Sequence, residues 1–320
     1  MPVVPVRGRR IPTKNVRGWM DPMLATLVEE LKDSRGWVFE RKLDGYRAIA
    51  YRDGGDVRIF SRNKLPLDES FATVVEALNK LPEKRFVIDG EIVAVVDGDA
   101  GGFEGLQQRT ERTPIRYYVF DILSLGGDDV RKLPLLERKK LLRSLGLKGR
   151  LKRTELQSGD AETLRSAACK DGWEGLIAKR ADAPYSSGRS KDWLKLKCSN
   201  EQELVVAGYT DPKGSRVGFG ALMLGYYADG KLLFAGEVGT GFNTKTLAEL
   251  TAKLKPLETE RSPFADHARA KKGQHFVKPK LVAQVAFTEW TRDGKLRHPR
   301  FLGIRKDKKP SEVVRETPAR

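Results

Sequence analysis

The sequence predicts an α+β protein of two domains, the second a small β-barrel. Three observations lead there. Up to about Cys198, short apolar alternations interleave with helical patterns. Beyond it the texture changes to alternating, glycine-punctuated strands with Asp-Gly turns and one helical segment. The length, 320 residues, is enough for two ordinary domains with real cores.

Taken in order, residues 1–20 are Pro- and Arg-rich and read as a basic arm without the apolar core of a signal peptide. RAIAYRDGGDVRIFSR (47–62) predicts a hairpin turning at Asp53-Gly54-Gly55. Phe71, Val74, Val75, Leu78 and Leu81 fall at helical spacing. RFVIDGEIVAVV (85–96) reads as two strands broken by Asp-Gly, residues 98–105 as a flexible loop, and RYYVFDILSL (116–125) as a strand with Tyr118, Phe120 and Ile122 on one face. PLLERKKLLRSLG and DAETLRSAACKDG predict helices, the second stopped by Gly172. EGLIAKR and DWLKLK return to strand. After a boundary near 198, ELVVAGYT, GALMLGYYADGKLLFAGEV and LVAQVAFTEWTRDGKLR supply about five strands and TLAELTAKLKPL one helix, which suits a barrel of the OB type.

Sixty basic against 43 acidic side chains give a net charge of +17 and favour polyanionic partners. Cys169 and Cys198 stand in unrelated contexts, so no disulfide and a reducing, cytosolic setting are expected. Together with His267, His275 and His298 they make no zinc spacing. No apolar run approaches the roughly 20 residues of a membrane span.

Lys42, in FERKLDGYR, reads two ways: an exposed lysine before a hairpin turn, or a reactive amine. An amine attacks phosphorus only when neutral, and Arg41, Arg47 and a divalent ion could supply a field that favours that form. Alternation puts Asp89 and Glu91 on one face, where carboxylates aimed inward need a cation, a ribose or a salt bridge. Phe120 is a core aromatic or a platform for a base. In DWLKLK, Trp193, Lys195 and Lys197 share a face, and two lysines two apart suit phosphate oxygens.

In this order the segments resemble the motifs of the nucleotidyltransferase superfamily, and specifically ATP-dependent DNA ligases. Lys42-Leu43-Asp44-Gly45-Tyr46-Arg47 is similar to motif I, Ser61-Arg62-Asn63 to motif Ia, Asp89-Gly90-Glu91 to motif III and Tyr118-Val119-Phe120-Asp121 to motif IIIa. Residues 174–179 resemble motif IV, residues 193–197 motif V and residues 305–308 motif VI. The resemblance spans about 21–310. It implies an adenylation domain over 21–198 followed by an OB-fold domain over 199–320.

It also implies roles. Lys42 is the expected nucleophile, taking AMP from ATP as a phosphoramidate. Glu40 is expected to face the adenine and Phe120 to stack on it, while Arg47 and Glu91 hold the ribose. Arg62 and Arg189 lie near the nucleotide or the nick phosphate. Glu91 and Glu174 bind Mg²⁺ or Mn²⁺, Lys195 and Lys197 take the α-phosphate, and Arg305 and Lys308 orient pyrophosphate. The expected partner is duplex DNA with nicks or breaks, with Ku and end-joining polymerase or nuclease modules as further partners of a monomer.

Asp21-Pro22-Met23-Leu24-Ala25 and the short chain look most like the ligase module of bacterial non-homologous end-joining ligases. A GTP-using mRNA capping guanylyltransferase, an RNA ligase and a non-catalytic OB-type DNA-binding protein are the alternatives.

Overall fold

The computed structural model describes residues 18–319 apart from positions 97, 111 and 268, so the arm expected over 1–20 lies almost wholly outside the described residues. The first part of the chain folds into two facing sheets. The smaller runs Met23–Leu27, Gly188–Lys197, Gly175–Arg180, Trp37–Arg41. The larger runs Arg58–Ser61, Tyr46–Asp53, Arg85–Val96, Ile115–Leu125. Ile49, Val87 and Leu123 of the larger sheet pack against Met23, Tyr185 and Trp193 between the two layers. Helices Ala72–Asn79 and Leu135–Ser144 cover the outer face of the larger sheet, with Val74, Leu78 and Leu142 in one core with Ile88, Tyr117 and Ile122. Helix Ala161–Lys170, capped by the Asp160 carboxylate accepting from Thr163 N–H, backs the smaller sheet.

This layout decides how Lys42 is displayed. The Lys42–Gly45 stretch is not a hairpin tip: the strand before it belongs to the smaller sheet and the strand after it to the larger. The chain crosses between layers here, and the Lys42 side chain lines the gap. The crossing is tight enough to need glycine. A Cβ on Gly45 would lie 2.1 Å from the Ile92 carbonyl oxygen. On the other side Lys42 N–H donates to the Gly175 carbonyl at 2.9 Å, and a Cβ on Gly175 would lie 2.1 Å from the Leu196 carbonyl oxygen.

Three local expectations are corrected. Arg85–Val96 is one unbroken strand, and Asp89-Gly90 lies within it, opposite a bulge in Ile115–Leu125 where Phe120 is the extra residue, rather than at a turn. A bulge turns successive side chains without ending the ladder. It breaks the alternation of Ile115–Leu125: Ile122 joins Tyr117 and Val119 in the helix-covered core, while Phe120 faces the gap. The loop expected at 98–105 contains strand Asp99–Ala100 and helix Phe103–Gln107, whose first N–H is capped from afar by Asp44 Oδ2 at 2.7 Å. Cys169 and Cys198 form a disulfide, with Cα atoms 5.3 Å apart. The helix carrying Cys169 backs the sheet that the chain leaves at Cys198, a proximity that sequence context does not reveal.

From Asn200 the chain forms a barrel of the order Lys231–Val238, Leu222–Ala228, Asn200–Thr210, Gln274–Phe287, with Arg300–Arg305 also pairing to Gln274–Phe287. A bridge between Thr240 and Arg300 brings its two ends together. Helix Thr244–Leu254 plugs it with Leu247, Leu250 and Leu254. No helix among the described residues is long and apolar enough to cross a membrane. After Val313 the chain leaves the barrel and returns to the first sheet, where Ala319 N–H donates to the Leu27 carbonyl at 2.9 Å.

Candidate active site

Between the two sheets and the barrel lies a cavity of about 460 Å³. Its wall includes Glu40, Lys42, Arg47, Arg62, Glu91, Phe120, Glu174, Arg189, Lys195, Lys197, Arg305 and Lys308, that is, every site residue expected from the sequence. Lys42 and Arg305, far apart along the chain, meet because strand Arg300–Arg305 of the barrel faces the gap into which the Lys42 crossing points.

Lys42 sits at the floor with its side chain 18% exposed, paired with Glu174. Burial alone would lower its pKa, but the carboxylates of Glu174, Asp44 and Glu91 outweigh that and hold the ammonium above the ordinary lysine range. The expected cationic field is therefore corrected. Arg41 turns away to pair with Asp99 at 2.7 Å and to lie over Trp173. Arg47 is held in a fork by Asp89, at 2.8 Å from Nε and 2.5 Å from Nη2. As found, the amine is a protonated group in an anionic nest, and its activation requires positive charge brought from outside.

The nest is poised to accept such charge. Burial pushes Glu91 up to about 8, Asp44 to about 6 and Glu201 to about 7. Glu174 Oε2 and Glu201 Oε2 are buried with no hydrogen-bond partner among the described residues. Glu91 accepts from Gly45 N–H at 3.1 Å. No group of three or more His, Cys, Asp or Glu among the described residues forms a metal cage. The donors present fit a hard cation that keeps oxygen ligands from a bound phosphate, since Mg²⁺ commonly takes only one or two carboxylates from protein.

Because Glu91 is raised in the folded state, ionising it costs stability that grows from about pH 4.5, where the unfolded side chain titrates, to about pH 8. Glu91→Gln, which keeps an acceptor for Gly45, should therefore melt with the parent near pH 4.5 and above it near pH 8, by several kcal/mol at about 1.4 kcal/mol for each unit of the shift. Thermal melts at both pH values test this; an equal difference at the two would contradict it.

Glu40 is fully enclosed, accepting from Lys139 and, at 2.9 Å, from Lys179. Burial opposes its charge, but these two ammonium groups hold its carboxyl below the usual range. Burial pulls Lys179 down to about 8, and its Nζ lies 4.5 Å from the Phe120 ring centre and 4.1 Å from that of Trp193. The Arg47 guanidinium also lies over Phe120, at 4.9 Å. A flat pocket wall with fixed polar groups at its rim results, suited to an aromatic ring that carries exocyclic donors.

On the barrel side, Arg62 and Lys308 reach Glu203 at 2.7 and 3.3 Å, and Asn63 Nδ2 donates to the Asp307 carbonyl at 2.9 Å. Arg305 is forked onto Asp307 at 2.9 and 2.8 Å and lies over Phe103. Arg189 donates to the Ala25 carbonyl at 2.8 Å at the mouth. Lys195 and Lys197 both pair with Glu316, at 2.5 and 3.0 Å. Burial would raise Glu316, yet those two lysines hold it down at about 2, while burial draws Lys195 to about 8.

Asp44, Asp89, Lys139, Lys179, Glu201, Glu203 and Glu316 belong to the site without having been assigned roles from sequence. Asp89 and Lys179 stand inside quoted motifs and share faces with Glu91 and Ile177. Asp44 also stands inside the first of those motifs; Lys139, Glu201, Glu203 and Glu316 come to the cavity or to Glu40 in its wall by tertiary contact and carry no periodic signal.

Family profiles described as ATP dependent DNA ligase domain and ATP dependent DNA ligase C terminal region match residues 22–197 and 215–308. The chain is 41% identical over 301 residues to the multifunctional non-homologous end joining protein LigD of Mycobacterium bovis, covering 92% of this chain and 40% of that protein. It is 39% identical over 314 residues to LigD of Pseudomonas aeruginosa, covering 94% and 37%. The chain thus spans about two fifths of the length of these curated relatives. Among solved structures, a mycobacterial DNA ligase D complexed with ATP and MES matches with a TM-score of 0.67 at 38% identity, covering 92% of this chain and 98% of that one.

Proposed function

Because the chain belongs to the ATP-dependent DNA ligases, a family of enzymes, we propose that it seals 3′-hydroxyl/5′-phosphate breaks in duplex DNA through AMP carried on Lys42. The observation that carries this reading is the single cavity where one buried lysine meets a two-lysine clamp, a ring-binding wall and a barrel-borne arginine.

In the first step the Lys42 amine attacks the α-phosphorus of ATP in line. The Lys42 ammonium first gives one proton to Glu174, with which it is paired; a P–N bond then forms, the P–O bond to pyrophosphate breaks, and the second N–H proton leaves with the pyrophosphate. Lys195 and Lys197 take the α-phosphate oxygens, and Arg305 with Lys308 receives the leaving pyrophosphate. Glu40, fixed by Lys139 and Lys179, and Phe120 orient the adenine; Arg47 and Glu91 lie along the ribose. Glu91 and Glu174 would hold Mg²⁺ or Mn²⁺, which supplies there the positive charge that lowers the Lys42 pKa and neutralises the phosphates. AMP then passes to the 5′-phosphate of the break, and the 3′-hydroxyl displaces it.

Positioning and charge neutralisation carry most of such a transfer. Since Arg305 cannot stay over the nucleotide while the barrel grips duplex, the barrel reopens between steps. The net charge of +17 holds DNA through its phosphates regardless of sequence. The likeness to LigD supports a place in end joining within the bacterial cytosol, beside Ku and the polymerase or nuclease modules of a longer protein.

The test is a sealing assay on a nicked duplex with ATP and either Mg²⁺ or Mn²⁺. Joined strands and released AMP are expected. Charging by GTP alone, or joining of RNA ends only, would refute the assignment.

A further inference from the structure

The occupant of the two-lysine clamp in this structure is a side chain of the protein itself. Glu316 places one carboxylate oxygen on Lys195 Nζ at 2.5 Å and the other on Lys197 Nζ at 3.0 Å. Its segment starts at a fixed root: Val313 is buried in the barrel core, and its carbonyl accepts from Tyr227 N–H at 2.7 Å. From there it crosses the cleft. Glu316 N–H donates to Gln202 Oε1 at 2.9 Å, Gln202 Nε2 donates to the Val314 carbonyl at 3.0 Å, and the tip is tied at Leu27. Apart from Arg315 over Trp290, little apolar surface secures it, for Val314 is 52% exposed and residues 317–319 are exposed. A segment held by a few polar contacts opens at low cost.

We propose that residues 314–319 form a displaceable strap whose Glu316 carboxylate stands in for a substrate phosphate on Lys195 and Lys197. This rests on the phosphate-clamp role given to those lysines above. A carboxylate offers two oxygens and one charge, whereas a phosphate offers more of both, so a nucleotide wins the exchange once present. Until then the strap keeps two ammonium groups paired inside the protein and ties the barrel to the first sheet. Nucleotide entry and strap release are one event. Because AMP on Lys42 keeps a phosphate near the clamp, the strap stays out after charging and the barrel loses a tether as it must reopen for DNA.

A ligand that can bind only when the strap is off has its apparent affinity reduced by the fraction of time the strap is off. In the full chain, Glu316→Gln should therefore bind AMP, the simplest ligand that carries an α-phosphate, more tightly than the parent, by on the order of tenfold if the strap is seated about nine-tenths of the time. Calorimetric titration reads this. Adding AMP to the parent should also speed amide hydrogen exchange at Glu316 and Ala319, a measurement that needs no variant and decides alone if Glu316→Gln fails to fold. Equal or weaker binding by the variant, or unchanged exchange in the parent, overturns the strap. AMP that binds neither protein overturns the clamp and the strap with it. Charging of the parent by ATP is read in parallel: a parent that exchanges its strap for free AMP but takes up none covalently from ATP keeps the strap and loses the ligase reading.

Discussion

Lys42→Ala should take up no AMP from ATP and lose sealing of an ordinary nick by at least about 10⁴-fold, the scale on which removal of a nucleophile acts. Several features make the loss this large. The amine stands at the crossing between two sheets, fixed by Lys42 N–H on the Gly175 carbonyl. Lys195 and Lys197 project from a different strand, where they take the oxygens of the α-phosphate, and Lys179 is enclosed with Glu40. Duplex affinity should change little, because it comes from surface charge spread over the molecule. A break already carrying AMP on its 5′-phosphate bypasses the amine, so the variant should still join it. Gel assays on ordinary and pre-adenylated nicks check both halves; equal loss on the two substrates would point to a structural rather than a covalent role.

Arg138→Met should destabilise the first domain by about 3–5 kcal/mol, lowering its melting temperature by roughly 10 °C. Arg138 and Asp121 have fully buried side chains and are joined by two hydrogen bonds of 2.7 and 2.9 Å. The guanidinium also donates to the Ala183 carbonyl at 3.1 Å, so it ties helix Leu135–Ser144 to strand Ile115–Leu125 and to the loop that joins Gly175–Arg180 to Gly188–Lys197 in the smaller sheet. Removing only the cation leaves a buried carboxylate with just the Ile122 N–H, at 2.9 Å, to set against its charge, which is the costly case. Adding Asp121→Leu should restore much of the loss. A melt of the single variant within about 1 kcal/mol of the parent would show that the pair contributes little.

Much of the architecture is legible in the sequence, and the exceptions share a cause. The period-2 pattern of DWLKLK places Leu194 and Leu196 in the core behind helix Ala161–Lys170 and sends Lys195 and Lys197 to the cavity. That is a local property of a strand. Asp-Gly misleads twice, because the same dipeptide suits a hairpin turn, a bulge or a close crossing. At 89–90 it continues a strand opposite a bulge at Phe120, and at 44–45 it marks the passage between sheets; in both places partners far along the chain make the choice. Helix Phe103–Gln107 is short, glycine-flanked and capped by Asp44, so nothing within 98–107 announces it. The disulfide is missed for the same reason, since Cys169 and Cys198 are 29 residues apart and meet only in the folded sheet.

The site divides in the same way. Ordered motifs locate Lys42, Glu91, Glu174, Lys195 and Lys197, because each lies on a strand or just beside its end and all line one cavity. The charges that tune them are invisible from sequence. Lys139 reads as one more basic residue on a helix until it is found inside the protein against Glu40. Glu203 and Glu316 lie in stretches without any distinguishing pattern, yet they pair with four of the cavity's cations. Their contacts are long-range, and electrostatic balance is set by the whole fold rather than by a segment of it.

Peptide mapping by mass spectrometry after incubation with ATP and a divalent cation tests the central claim most directly. One AMP on the peptide that contains Lys42, linked as an acid-labile phosphoramidate, is the predicted result. An unmodified chain, or AMP on any other side chain, would contradict it.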